Sequence, residues 1–273
     1  MADADAVRGA GVPDRLPAPD QALGNQPASP PPAPSPGTAE SGGVMTLVDH
    51  LSELRSRLIK CILAIAAGTA IGFLAAPTIR RWLVQPLPPD HQVLIVLGPG
   101  DAFAVTLRIA VVVGIILAMP VLLYQLWAFI APGLTTAEKK AFRPWIPLAL
   151  FFFVLGVTVA WIILPYAIGF LLAFTDETLV ATLAAPPYFD FVSTLFLVFG
   201  LLMEFPIVLY ALSRVGIATS ARLRASRRMV ILGIAIFSAV ATPGGDLVSP
   251  IVLGLTMYIL FELTVVAIRR SGK

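Results

Sequence analysis

The sequence is short of almost everything a soluble enzyme uses: it has one cysteine, two histidines and only 13% charged residues. The lone Cys61 can form no intramolecular disulfide and has no companions for a metal site, so it reads as a small packing residue. The histidines, His50 and His91, both lie outside the long apolar runs. An intramembrane protease would need a HExxH site, a Ser/His dyad or paired aspartates, and that class fails on these residues. No GxxxxGK[ST] phosphate loop occurs, so no nucleotide-driven motor is expected. Neither a cofactor nor a nucleic-acid partner is expected. Residues 1–44 lack aromatics altogether and are rich in Pro, Ala, Gly and Ser, including Pro30-Pro31-Pro32. Such a tail cannot bury enough surface to offset its ordering entropy and is expected to stay disordered. It also lacks the apolar core of a secretory signal, so no cleavage is expected. The domain division is therefore a tail over 1–44 and a membrane domain over 45–273.

What the chain has in abundance is apolar surface. Hydrophobic residues make up 58% of it, beyond the range of soluble domains, so the solvent for most of it is lipid. Apolar runs predict six spans, at residues 58–76, 105–130, 145–172, 189–212, 229–242 and 247–261. Pro77 is expected to end the first, with a loop over 78–104. Kinks are expected at Pro120, Pro165 and Pro206. The last two runs hold 14 and 15 residues, about 21–23 Å of helix, short of a hydrocarbon core of ~30 Å. Either they form a re-entrant hairpin or they cross a locally thinned bilayer. Basic residues at both ends of the pair, Arg227-Arg228 and Arg269-Arg270, favour crossing.

Charge placement then orients the spans. Arg55, Arg57, Lys60, Lys139, Lys140, Arg143, Arg214, Arg222, Arg224, Arg227, Arg228, Arg269, Arg270 and Lys273 all fall on one side. Only Arg80, Arg81 and Arg108 fall on the other, where Arg108 can snorkel at the entrance of the second span. The positive-inside rule makes the first side cytoplasmic. The expected fold is an all-α polytopic membrane protein of six transmembrane helices, the last two short, with both termini cytoplasmic. The stretch 46–58 sets this frame. Its Leu47, Leu51, Leu54 and Leu58 form one helical stripe beside a polar face of His50, Glu53 and Arg57, as a helix lying on a membrane surface requires.

The motifs in these places resemble those of a family. His50-Leu51-Ser52-Glu53-Leu54-Arg55-Ser56-Arg57-Leu58 resembles the amino-terminal signature of the TatC family, the multispanning receptor subunit of the twin-arginine protein translocase. Leu126-Trp127-Ala128-Phe129-Ile130-Ala131-Pro132-Gly133-Leu134, with Glu138-Lys139-Lys140, is similar to its first cytoplasmic loop. Phe199-Gly200-Leu201-Leu202-Met203-Glu204-Phe205-Pro206 is similar to its fourth span. Thr242-Pro243, Asp246, Met257-Tyr258 and Phe261-Glu262 match its last hairpin. The tail, Pro250 in place of a frequent glutamine, and the less polar Thr135-Thr136-Ala137 depart from the pattern.

The resemblance implies a receptor for twin-arginine signal peptides in the cell (inner or plasma) membrane. It would work with single-span TatA/TatB-type subunits, self-associate in the receptor complex and draw on the proton-motive force. It also implies signal-peptide contacts at Glu53, Glu138, Arg55, Arg57 and Phe129, and partner docking at Thr242, Asp246, Tyr258 and Glu262. The residues themselves leave blander readings open. Glu53 stands in the favourable order for an i, i+4 pair with Arg57. Thr135-x-x-Glu138 is a capping box for the third helix. Glu262 can snorkel or pair with Arg269 or Arg270. Glu204 is a carboxylate in mid-span and costs ~2.5–3.5 kcal/mol on insertion scales, so it either lines a cavity or is structural glue. The competing function is a proton-coupled small-molecule transporter using Glu204. Against it, no internal repeat pairs two broken helices.

Overall fold

In the computed structural model the described residues are 47–133, 145–176, 178, 181–214, 216, 220–242 and 245–270. They form eight α-helices: α1 Leu47–Val84, α2 Asp101–Ile130, α3 Trp145–Leu172, α4 Ala185–Leu202, α5 Phe205–Arg214, α6 Ser220–Ala225, α7 Arg227–Ala241 and α8 Val248–Arg270. Single 3-10 turns stand at Pro89–His91 and Ala131–Gly133. Among these residues no strand occurs beyond one parallel bridge, Ile95 with Ala184. The fold is all-α. Five stretches are long and apolar enough to cross a membrane: His50–Val84, Asp101–Ile130, Trp145–Leu172, Ala185–Ser213 and Val248–Arg270.

Several helix ends differ from the sequence expectation, each for a physical reason. Pro77 does not end the first helix, which continues through it to Val84. Proline costs one backbone bond, but a membrane helix tolerates this where neighbours satisfy the freed groups. The extra turns here have work to do. Leu83 is buried, and its carbonyl accepts the Tyr188 hydroxyl of α4 at 2.6 Å. That bond satisfies one of the orphan acceptors at a helix carboxyl end. Helix α2 starts four residues early because Asp101 organises its approach. The Asp101 carboxylate accepts the backbone N–H groups of Leu97 (3.0 Å) and Gly98 (2.8 Å), and it sits in the first turn, where the helix dipole favours an anion. Helices α2 and α3 run unbroken across Pro120 and Pro165. Only Pro206 coincides with a break, between α4 and α5.

Of the two final helices expected to be short, α7 is short, with 15 residues, and α8 is not, with 23. Glu262 does not end α8, since glutamate is a good helix former, and its Oε2 accepts a hydrogen bond of 2.7 Å from Arg227 Nη2 on α7. The helix runs on through buried Thr264, Val265 and Ile268 to Arg270. The pairing foreseen with Arg269 or Arg270 is thus made with Arg227 instead.

Helix packing depends on small residues. In the antiparallel pair α1/α2, a Cβ added at Gly68 would stand 2.6 Å from the Gly114 carbonyl oxygen, and one at Gly72 would stand 2.6 Å from that of Ala110. Between α3 and α4, a Cβ at Gly156 would meet the Phe199 carbonyl, with Gly200 Cα at 2.9 Å and Met203 Cγ at 2.7 Å. Such contacts let membrane helices gain dispersion energy where lipid offers no hydrophobic drive. The core beside them is formed by Phe153, Leu164, Phe189, Leu195, Phe199 and Phe261, all at most 1% exposed.

Candidate functional site

At the amino end of α1 the polar stripe becomes a cluster shared with the carboxyl end of α2. Arg57 donates from Nε (3.0 Å) and from Nη2 to the same Glu53 oxygen, Oε1. Its Nη1 donates to Gln125 Oε1 of α2 at 3.2 Å. One turn away the His50 ring stacks on Phe129 with centroids 4.4 Å apart. The helical spacing 50, 53, 57 places these side chains on one face, and the antiparallel α1/α2 pairing brings 125 and 129 to meet them. The other Glu53 oxygen, Oε2, is buried and has no hydrogen-bond partner among the described residues.

Of the expected signal-contact residues, Glu53, Arg57 and Phe129 come together here. Arg55 does not: it is exposed and lines a separate open cleft with Leu51, Ser52, Ser56, Ile59 and Lys60. Glu138 lies outside the described residues, as do Thr135 and its capping box.

Glu204 occupies the break between α4 and α5. Pro206 has no N–H to give the Leu202 carbonyl, so the ladder is interrupted there. Met203 N–H still reaches Phe199 O (3.2 Å), and Glu204 N–H turns to Leu201 O (3.1 Å). The Glu204 carbonyl restarts the helix by accepting from Ile207 (3.0 Å) and Val208 (3.2 Å). The side chain is half-buried, with Oε1 enclosed and unpartnered among the described residues.

The four residues expected to dock partners fall at different levels of the last hairpin. Thr242 donates to the Ser238 carbonyl at 2.7 Å, and Asp246 Oδ1 accepts the Ser249 N–H at 2.6 Å, capping α8. Glu262 stands 16 positions further along the chain, about 24 Å away by helical rise. Tyr258 lies between them, 37% exposed. They are spread along the last hairpin, Thr242 closing α7, Asp246 just before α8, and Tyr258 and Glu262 on α8, rather than gathered in one pocket.

The comparisons fit this arrangement. A family model described as Sec-independent protein translocase protein (TatC) matches residues 49–255. The chain belongs to the TatC family. It is similar to the Sec-independent protein translocase protein TatC of Corynebacterium kroppenstedtii, 35% identical over 81% of this chain but only 60% of that longer protein. It is also similar to the protein of that name from Aquifex aeolicus, 35% identical over 81% of this chain and 93% of the relative. A crystal structure titled as the twin arginine translocase receptor TatC in DDM superposes with a TM-score of 0.70 at 35% identity, covering 80% of this chain and 99% of that one. TatC membership makes the chain a multi-pass membrane protein with a transport role, as a subunit of the Sec-independent protein translocase.

Three polar pairings of this TatC chain escaped the sequence reading. Gln125 holds Arg57, Arg227 holds Glu262, and Asp190 on α4 forms an ion pair with Arg108 on α2. The last was legible in principle, since Arg108 and Asp190 both enter apolar runs from the side opposite the basic connections. Each needed a partner to avoid an isolated charge near lipid.

Proposed function

We propose that the chain is the signal-recognising subunit of its translocase, reading paired arginines of precursor signal peptides at the Glu53 cluster together with Glu138. The Glu53 oxygen that has no partner among the described residues supports this reading best. Arginine pairs with carboxylates through a planar fork that lysine cannot reproduce, and the connections around this end are otherwise basic. A guanidinium that gains access to the buried Oε2 as the Glu53 side chain turns outward supplies the donor it lacks, while Phe129 and His50 offer an aromatic flank. On the same reading Arg55 faces the lipid surface beside the peptide. Single-span TatA/TatB-type partners would meet the last hairpin at Thr242, Asp246, Tyr258 and Glu262, and transport would draw on the proton-motive force. The translocase domain would be 45–273, with the 1–44 tail outside it.

Glu53→Gln and Glu138→Gln keep side-chain shape and remove the anion. Each is expected to weaken a twin-arginine peptide by roughly 1.5–3 kcal/mol, the worth of a charge-assisted hydrogen bond. Affinities for twin-arginine and twin-lysine peptides, measured on the purified chain, check this. If both variants keep the full arginine preference, the carboxylates do not read the signal.

The proposed arrangement has six spans, α7 included, with both termini cytoplasmic in the cell membrane. Cysteines placed singly in a Cys61-free background should label from outside intact cells at Asp90, Asp176 and Gly245. None is expected to label at Ala137 or Ala225. External labelling at Ala225 would overturn the orientation, and protection of Gly245 alone would make α7 and α8 a re-entrant hairpin.

A further inference from the structure

The opposite end of the molecule carries an arginine pair that joins no ion pair among the described residues. Arg80 and Arg81, in the last turns of α1, are both exposed and line an open cleft of about 450 Å³. Among the described residues neither joins an ion pair; Arg81 Nε only touches the Pro77 carbonyl at 3.4 Å. Two carboxylates next to the lining are engaged elsewhere, and Asp90 lies exposed on the connecting loop. Asp190 is held by Arg108, and Asp101 accepts two backbone N–H groups. The cleft therefore keeps a positive floor. Its remaining walls are apolar, with Leu94, Val96 and Phe189 beside one further polar group, Gln92.

The surroundings mark the level of a membrane interface. Trp82, next along α1, stacks on Trp161 at 3.8 Å while remaining 47% exposed, as interfacial tryptophans do. The connecting loop presents Val93, Val96 and Leu97 at 84%, 52% and 76% exposure. Apolar side chains so uncovered beside two cations without an ion pair among the described residues match a surface that is charged at the headgroups and oily beneath. Ile95 between them is fixed by two backbone bonds to the α4 entrance, Ile95 N–H to Leu183 O (3.0 Å) and Ala185 N–H to Ile95 O (2.8 Å). The loop is thereby tied to the start of α4.

We propose that this cleft seats an anionic phospholipid of the adjoining leaflet, with its phosphate on Arg80 and Arg81 and its first acyl carbons over Leu94, Val96 and Phe189. Two arginines at a surface give a preference of at least roughly tenfold for an anionic over a zwitterionic headgroup. The test uses the full chain in detergent, incubated with phosphatidylglycerol or phosphatidylcholine and read by native mass spectrometry. The wild type should retain phosphatidylglycerol preferentially. Arg80→Gln/Arg81→Gln should bring the two lipids to parity, and so should Ala102→Trp, which fills the cleft without changing charge. Arg269→Gln/Arg270→Gln, an equal charge change at the other end, should keep the preference. A preference unchanged in the first two variants overturns the site, as does an equal loss in the third. Displacement of the lipid by millimolar inorganic phosphate would replace it with a free-phosphate site.

Discussion

Replacing Gly156 by leucine is expected to remove most of the folded protein from the membrane. The α3/α4 approach leaves no room for a side chain at this position: a Cβ would meet backbone at Phe199 and Gly200 before it met anything flexible except Met203. Backbone cannot step aside as a side chain can. Phe153, Phe199 and Met203 around it are at most 1% exposed, so displacement of α3 would open the core. Overpacking by single methylenes costs ~1–3 kcal/mol, and four carbons against backbone should exceed that range. Gly169→Leu is the matched control, on the same helix with nothing within 4 Å of its Cβ position. Membrane abundance and thermal unfolding in detergent should fall steeply for the first variant and hardly for the second. Equal behaviour of the two would mean that α3 and α4 are not in backbone contact.

Glu204 carries the second large expectation, in transport rather than stability. Its carboxylate stands at a helix break, half-buried with one oxygen unpartnered, where lipid cannot satisfy it. If the group wets a concave face for a passing polypeptide, Glu204→Gln keeps most export, because an amide still hydrogen-bonds. Glu204→Leu should lower export about tenfold or more, the kinetic equivalent of one lost hydrogen bond to a polar chain. Signal-peptide binding at the Glu53 cluster should survive in both variants. A proton-carrier role makes the opposite forecast for glutamine, which cannot ionise. Export at equal membrane abundance decides: near-complete loss in the glutamine variant refutes wetting, and full export in the leucine variant leaves Glu204 a structural residue.

The long apolar runs were legible because membrane spanning imposes a length and a composition that few other constraints disturb. Trp145–Leu172 is an instance, read from the sequence to the residue. Helix ends were less legible where a punctuating residue had a partner distant in sequence. Pro77 looked like a stop because the Tyr188–Leu83 bond across 105 residues cannot be seen locally. Glu262 looked like one for the same reason, its Arg227 lying 35 residues away. At the candidate site the i, i+4 pair of Glu53 and Arg57 was readable from spacing. Gln125 was not, because nothing in a single sequence says which face of α2 meets α1. The close approaches at Gly68, Gly114 and Gly156 were hidden likewise, since a glycine in an apolar run has no signature until its neighbour is known.

The Ile95–Ala184 bridge has a consequence for how the chain is built. Its two strands of backbone lie some 89 positions apart, with α2 and α3 between them. During synthesis the donor and acceptor of Ile95 stay bonded to water until residues 183–185 arrive on the same side, after both intervening helices are in place. Contacts separated this far along a chain close last, because the loop must be drawn shut first. Protection of the Ile95 and Ala185 amides from exchange is therefore expected to be absent while the first three helices insert and to register only once α4 has docked.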